Sequence, residues 1–149
     1  MNRNTLETKS INRRLNDILH YKNLSVTESR KKILSLFLRT DDAMAHGDIE
    51  MKAGEKFDRV TIYRTLNAFV DKGIIHAIPT SDNAVRYALC KDCEEGHHHD
   101  NHVHFVCTNC SKTICLDDVV SPNIELPTGY KPQTVEVVIN GVCKDCSSN

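Results

Sequence analysis

The sequence predicts an α+β fold in two parts, because the hydrophobic periodicity changes along the 149-residue chain. In the first half, apolar residues recur every three or four positions, as in amphipathic helices. In the second half, short β-branched segments lie between Gly, Pro and Asn residues, which is typical of strands. Two Cys-x-x-Cys pairs, Cys107/Cys110 and Cys143/Cys146, add a metal-binding element to the second part.

Helices are predicted over most of the first half. The first carries an apolar stripe from Ile11 to Leu19, and the second, with Thr27 as its N-cap, carries one from Ile33 to Leu38. A weaker helix is expected around residues 48–56. Gly47 lies just before this segment and Gly54 lies near its end, and glycine favours a helix boundary at both positions.

Asp58 is a suitable N-cap for a further helix over residues 59–72, which Gly73 can end. We expect its inner stripe to be Val60, Tyr63, Leu66, Phe69 and Val70. Its outward side chains would then be Arg59, Thr61, Arg64 and Thr65.

Strands at residues 74–78 and 84–89, joined by a turn, would follow that helix as a hairpin. Several helices and then a hairpin is the order of a winged helix-turn-helix. This domain is expected to cover residues 1–89, with a polar linker at 90–101 and a second domain at 102–149. Strands are expected in the second domain at 103–107, 113–116 and 134–139.

The charge is unevenly distributed between the two parts. Residues 1–89 hold 15 Lys and Arg against 11 Asp and Glu, whereas residues 90–149 hold 4 against 9. A basic first domain fits a polyanionic partner, although a solvated helix surface gives similar counts. Without an 18-residue apolar run or a signal-peptide pattern, the chain is expected in the cytoplasm, where seven cysteines bind metal more readily than they form disulfides.

Two metal sites are predicted from the second domain. Four thiolates in two short pairs suit a closed tetrahedral Zn²⁺ site. His102 and His104 are two residues apart on an expected strand, so both rings would project from one face and could hold a second metal.

These motifs together resemble the ferric uptake regulator family. The similarity rests on Val60-Thr-Ile-Tyr-Arg-Thr-Leu-Asn67, on His102-x-His-x-x-Cys-x-x-Cys110 and on Cys143-x-x-Cys146. It implies a homodimeric bacterial repressor, with a winged helix-turn-helix domain followed by a small α/β dimerisation domain. It also implies a structural Zn²⁺ held by Cys107, Cys110, Cys143 and Cys146.

The expected identity of the regulatory metal depends on which members of the family the chain resembles at the ligand positions. Iron- and peroxide-sensing members resemble it at His46, His102 and His104, but they use carboxylates where this chain has Ala88 and Cys115. Zinc-sensing members resemble it at four positions: His76, Cys90, His102 and His104. One thiolate and three imidazoles suit Zn²⁺, so a second zinc is expected, with Fe²⁺ or Mn²⁺ as the alternative.

Further thiols and histidines lie near these positions. Cys93 and Cys115 could form an additional site with the histidines at 97–99, and His46 could join the regulatory site or only begin its helix.

The resemblance also implies DNA contacts in the major groove from Arg59, Thr61, Tyr63 and Arg64. The alternative for this helix is a solvated face with Tyr63 in the core. The predicted function is a zinc-responsive transcriptional repressor of metal-homeostasis genes without catalytic activity, and an iron- or peroxide-responsive repressor is the nearest alternative.

Two other functions remain open. One is an enzyme, but the His-Glu-x-x-His motif of a zinc hydrolase is absent and neither cysteine pair lies in the βαβ context of a thioredoxin-like thiol enzyme. A constitutive DNA-binding protein with structural zinc alone would bind its operator independently of metal.

Overall fold

The computed structural model describes residues 3–90, 103–116, 118–133 and 135–148. The helices are α1 (Arg3–Tyr21), α2 (Glu28–Phe37), α3 (His46–Ala53), α4 (Arg59–Asp71) and α5 (Lys144–Ser147). The strands are β1 (Met44–Ala45), β2 (Ile75–Pro79), β3 (Val85–Leu89), β4 (Val103–Cys107), β5 (Thr113–Leu116) and β6 (Val137–Gly141). None of the described helices is both long and apolar enough to cross a membrane.

The ends of the helices in the first domain follow from local capping. The Thr27 hydroxyl accepts a hydrogen bond from Arg30 N, and the Asp58 carboxylate accepts one from Thr61 N at 2.7 Å. Both residues are therefore the N-caps that the sequence predicts. Helix α4 ends before Gly73, whose φ of 66° suits glycine after a helix terminus.

Helix α3 begins two residues earlier than expected, at His46. The Asp48 carboxylate accepts a hydrogen bond from Ala45 N at 3.0 Å. Asp48 therefore lies within the first turn of the helix and stabilises it, whereas the sequence predicted that the helix starts at this residue. The helix also ends earlier, at Ala53, because Gly54 has a φ of 84°.

Helix α4 packs on the core through a face that includes Leu66, Phe69 and Val70 of the predicted stripe but is rotated away from its first two residues. Its buried residues are Ile62, Thr65, Leu66 and Phe69. These positions form one continuous helical stripe. Val60 and Tyr63 are 55% and 54% exposed, so their predicted inward placement is wrong. Thr65, predicted outward, is buried with its hydroxyl donating to Thr61 O at 2.8 Å.

The wing is a three-stranded antiparallel sheet in the order β1-β3-β2. Its hairpin strands lie within one residue of the predicted positions. The sequence did not predict β1, whose two residues pair with Arg86 and Tyr87. A two-residue strand is too short to show an alternating pattern.

The second domain contains another three-stranded sheet, in the order β5-β4-β6. Strand β4 pairs antiparallel with β5 and parallel with β6. The last strand lies later than the predicted 134–139, because its parallel register sets Val137 opposite Val103 and Gly141 opposite Cys107. Gly141 also lies so close to the Phe105 ring that a β-carbon there would approach it to 3.2 Å.

The two sheets meet beside the first cysteine pair. Ala43 N donates a hydrogen bond to Thr113 O at 2.9 Å, which joins the segment before β1 to the start of β5. Lys112 Nζ lies 3.7 Å from both Asp42 Oδ1 and Asp145 Oδ2. The nearby carboxylate of Asp42, followed by that of Asp145, raises the pKa of Lys112.

The packing of α4 can be tested with a matched pair of variants. Leu66→Ala should lower the free energy of unfolding by about 2–5 kcal/mol, because Leu66 is fully buried and its truncation leaves a cavity. Val60→Ala should change it by less than about 0.5 kcal/mol, because that side chain is exposed. Urea unfolding of the two variants measures both values. A large loss in Val60→Ala would favour the stripe predicted from sequence.

Candidate metal centres and nucleic-acid interface

The four paired cysteines converge on one point in the second domain. Their sulfur atoms all lie within 4.8 Å of one another, and Cys110 Sγ is 3.8 Å from Cys143 Sγ. Four sulfurs about 2.3 Å from a tetrahedral Zn²⁺ are separated by about 3.8 Å, so the cluster has the dimensions of a zinc site. The residues present therefore fit a structural Zn²⁺.

Secondary structure brings the two pairs together. Cys107 ends β4, and Cys143 is the residue before α5. Cys143 N lies 3.4 Å from Cys107 Sγ and donates to it. Thr108 N donates to Gly141 O at 2.8 Å, which continues the pairing of β4 with β6 beyond the strands.

The electrostatics of this cluster favour cation binding. Backbone N–H groups, first that of Cys110 and then that of Cys143, lower the pKa of the Cys107 thiol to about 6. The neighbouring thiols of Cys143 and Cys110 raise the pKa of Cys146 to about 12. Hydrogen bonds within the cluster thus favour the thiolate at Cys107 and the protonated thiol at Cys146, and a divalent cation bound by all four sulfurs would favour the thiolate form of each.

A second group of ligand atoms bridges the two domains. His76 on β2, His104 on β4 and Cys115 on β5 have side-chain atoms within 4.8 Å of one another. His76 Nε2 lies 3.0 Å from His104 Nε2 and 3.2 Å from Cys115 Sγ. A tetrahedral Zn²⁺ separates two nitrogen ligands by about 3.3 Å and a nitrogen from a sulfur by about 3.6 Å. These three residues thus fit a zinc ion with only small adjustments.

Cys90 approaches the same histidine from its other side. Its sulfur lies 3.3 Å from His76 Nδ1, and its backbone N donates to Ile74 O at 2.9 Å. Ala88 pairs directly with His76 across the wing and is 4% exposed. The position where the resemblance to iron sensors implies a carboxylate therefore holds a buried methyl group beside the imidazole.

The predicted regulatory ligands are only partly described. His76, Cys90 and His104 lie together, whereas His102 lies outside the described residues, as do Cys93 and the histidines at 97–99. Among the described residues, no group of three or more ligand atoms includes His46. It begins α3, and its Nδ1 is 3.7 Å from Glu50 Oε2.

Cys115 is the member of the cluster that the predicted four-ligand set left out. The sequence signal for it is that strands were predicted at 103–107 and 113–116 on either side of the Cys107–Cys110 turn, although their register was not predicted. Antiparallel pairing across that turn sets Cys115 directly opposite His104. Directly opposed residues project from the same face of a sheet, with β-carbons about 4.5–5.5 Å apart.

The N-terminal half of α4 presents a polar surface with aromatic character. Arg59, Tyr63 and Arg64 are exposed and Thr61 is partly exposed. Arg59 Nε lies 3.8 Å from Glu50 Oε2. The exposure of Tyr63 argues against the core position that was the alternative for it. This face has the side chains needed to contact phosphates and base edges.

The known proteins that are similar to this chain include regulators of metal uptake. The sequence model of the ferric uptake regulator family matches residues 21–139. The ferric uptake regulation protein of Staphylococcus epidermidis is 30% identical over 141 residues, covering 89% of this chain and 94% of that protein. The zinc uptake regulation protein of Mycobacterium tuberculosis is 30% identical over 129 residues, covering 82% and 94%. A solved zinc uptake regulator complexed with zinc and DNA has a TM-score of 0.70 at 20% identity, with 95% of each chain covered. The similarity thus extends over both domains.

The structural site can be tested by removing one sulfur. Cys143→Ser should lose one bound zinc per chain and lower the thermal unfolding temperature, because three sulfurs no longer close the tetrahedron. Ser148→Ala, on the turn after α5, should retain the zinc and the unfolding temperature. Metal analysis and thermal unfolding measure the two effects. Equal zinc content in the two variants would contradict the four-cysteine site.

Proposed function

The chain belongs to the ferric uptake regulator family, and we propose that within this family of metal-responsive regulators it acts as a zinc-responsive repressor that binds operator DNA. The observation that carries the proposal is the contact of His76 with His104 and Cys115 between the two domains. Its donor atoms are nitrogen and sulfur, without a carboxylate. Such donors favour Zn²⁺ over Mn²⁺, which prefers oxygen ligands.

The relatives support regulation by a metal ion but do not identify which one. The metal is therefore proposed from the ligand atoms of this chain. Proteins named for iron uptake and for zinc uptake match this chain at the same 30% identity. The absence of a carboxylate at Ala88 and Cys115 distinguishes the regulatory cluster from the iron-sensing pattern. Zinc is therefore proposed on the chemistry of this chain's own side chains, with His102, which lies outside the described residues, as a further proposed ligand.

The proposed mechanism follows from where these side chains originate. His76 belongs to the wing of the first domain, and His104 and Cys115 belong to the sheet of the second. Bound Zn²⁺ would supply the positive charge that holds these nitrogen and sulfur atoms close to one another. The side chains then hold the two sheets in one relative orientation, which biases the population toward a DNA-binding arrangement.

The DNA-binding unit is proposed to be a homodimer. Apolar side chains are exposed in the second domain at Val119, Val120, Ile124, Leu126 and Tyr130. Burial of such a surface against a second copy would stabilise the dimer. Two copies of α4 at a fixed spacing could then enter successive major grooves, as paired helix-turn-helix domains do.

Metal dependence is the first test of this proposal. Wild-type protein should bind operator DNA at least about tenfold more tightly with Zn²⁺, which corresponds to an ordinary coupling free energy of about 1–3 kcal/mol. His104→Ala should lose most of that gain, because it removes one side of the interdomain contact. DNA-binding titrations at fixed free Zn²⁺ measure both. Equal zinc dependence in the variant would reject His104 as part of the regulatory site.

The recognition surface is tested separately. Arg59→Ala should weaken operator binding and reduce the slope of its salt dependence by about one if Arg59 contacts a phosphate. Lys72→Ala is the control variant, because it removes one positive charge at the opposite end of α4. Zinc content should be unchanged in both. Equal salt slopes in the two variants and wild type would exclude a phosphate contact by Arg59.

A further inference from the structure

We infer that a basic recess on the first domain binds a small phosphorylated ligand of about the size of a nucleotide. The recess lies among α1, α2 and the turn between α3 and α4, and its volume is about 350 Å³. Pockets that hold small molecules begin at about 300 Å³. The inference does not depend on the proposed function, because the lining residues belong neither to the two metal clusters nor to the exposed face of α4.

Cations from three parts of the chain line the recess. Lys31 and Lys32 lie on α2, Arg39 follows α2, and Lys56 lies in the turn before α4. Glu28 is the one carboxylate among the lining residues, and it pairs with Lys31 at 3.0 Å. In the part of the chain that the structure describes, no carboxylate lies within ion-pair distance of the other three cations. The recess therefore carries an excess of positive charge that an anion would neutralise.

The fields of these cations overlap at the carboxylate of Glu28. The pKa of Glu28 is lowered, first by the hydrogen bond and charge of Lys31 and then by the charge of Lys56. A cation in the α3–α4 turn thus acts on an anionic group of α2. A phosphate group placed between the two elements would be attracted by both.

The floor of the recess is apolar and packed against the core. Leu15 of α1 and Ala53 of α3 are 1% and 7% exposed, and Phe57 packs on the same core. The Lys56 ammonium lies 5.7 Å from the centroid of the Phe57 ring, so a cation and an aromatic face are adjacent. An apolar wall strengthens the attraction of nearby cations for an anion, because it excludes water that would screen them. It also offers a surface to the apolar part of a ligand, such as a nucleobase.

The concave shape of the recess favours a small ligand over duplex DNA. The phosphates of a duplex lie on a convex surface and are reached by protruding side chains, whereas this recess extends down to the buried Leu15. Asn12 and Ser35 add an amide and a hydroxyl group to its lining. A compact phosphorylated molecule can contact the cations and the apolar floor together, which a duplex cannot.

Binding of adenosine diphosphate tests the inference. Isothermal titration calorimetry should show saturable binding that weakens with added salt, and adenosine should bind at least about tenfold more weakly because it lacks the phosphates. The paired variant Lys32→Gln/Lys56→Gln should lose at least about tenfold in affinity, because it removes two cations of the recess. Lys32→Arg/Lys56→Arg keeps both charges and should stay within about threefold of wild type.

The matched control is Lys72→Gln/Lys131→Gln, which removes two exposed lysines outside the recess. It should bind adenosine diphosphate as wild type does. Amide chemical shifts that adenosine diphosphate changes in wild type should lie in α1, α2 and the α3–α4 turn. Unchanged urea unfolding establishes that each variant is folded, and zinc content is measured alongside.

Three results would overturn the inference. Equal losses of affinity in the two glutamine variants, or shift changes spread over the whole basic surface, would mean a nonspecific charge effect. Heat accompanied by loss of zinc in every variant would mean chelation of the metal by adenosine diphosphate. Absence of binding, together with a smaller salt slope of operator binding in Lys32→Gln/Lys56→Gln, would assign these cations to the DNA backbone instead.

Discussion

The arrangement of the two domains depends on the contact between the imidazoles of His76 and His104. Two ring nitrogens 3.0 Å apart require an electropositive centre between them, either a shared proton or a metal ion. The two rings come from different sheets, so whatever occupies that position also sets how the sheets meet. The rings are tilted by 35° with their centroids 5.1 Å apart, so they are not stacked in parallel. Their Nε2 atoms face each other.

The other contacts between the sheets are weaker or less specific. The Lys112 ammonium interacts with Asp42 and Asp145 in a partly exposed position, and such ion pairs contribute little to stability. The hydrogen bond from Ala43 to Thr113 joins backbone groups and does not respond to metal. Among the described contacts between the sheets, the cluster around His76 is the one that groups metal-ligand atoms, so the proposed metal would act there. The four-cysteine site lies within one domain and stabilises the frame from which His104 and Cys115 project.

The sequence predicted features governed by short-range rules. The caps at Thr27 and Asp58 and the hairpin of the wing agree with the structure. His76 lies 3.3 Å from Cys90 and 3.0 Å from His104, and their role as metal ligands stays a prediction. The inward face of α4 was right at Leu66, Phe69 and Val70 and wrong at Val60 and Tyr63, which are exposed because the packed stripe runs through Ile62 and Thr65. Neither the two-residue strand β1 nor the parallel pairing of β6 leaves a periodic pattern. The role of Cys115 depended on strand register, which pairs residues across a turn and cannot be read from ligand spacing alone.

The connection between the His76 cluster and α4 is short and well packed. Ile74 N donates to Phe69 O at 2.8 Å, so the end of α4 is bonded directly to the chain that enters β2. Ile74 and Ile75 are 2% and 1% exposed, and His76 is the next residue. A close-packed segment of this kind transmits a displacement instead of absorbing it. A metal that held the His76 ring against the second domain, as proposed, would therefore also hold the direction of α4 and of its exposed Arg59, Tyr63 and Arg64.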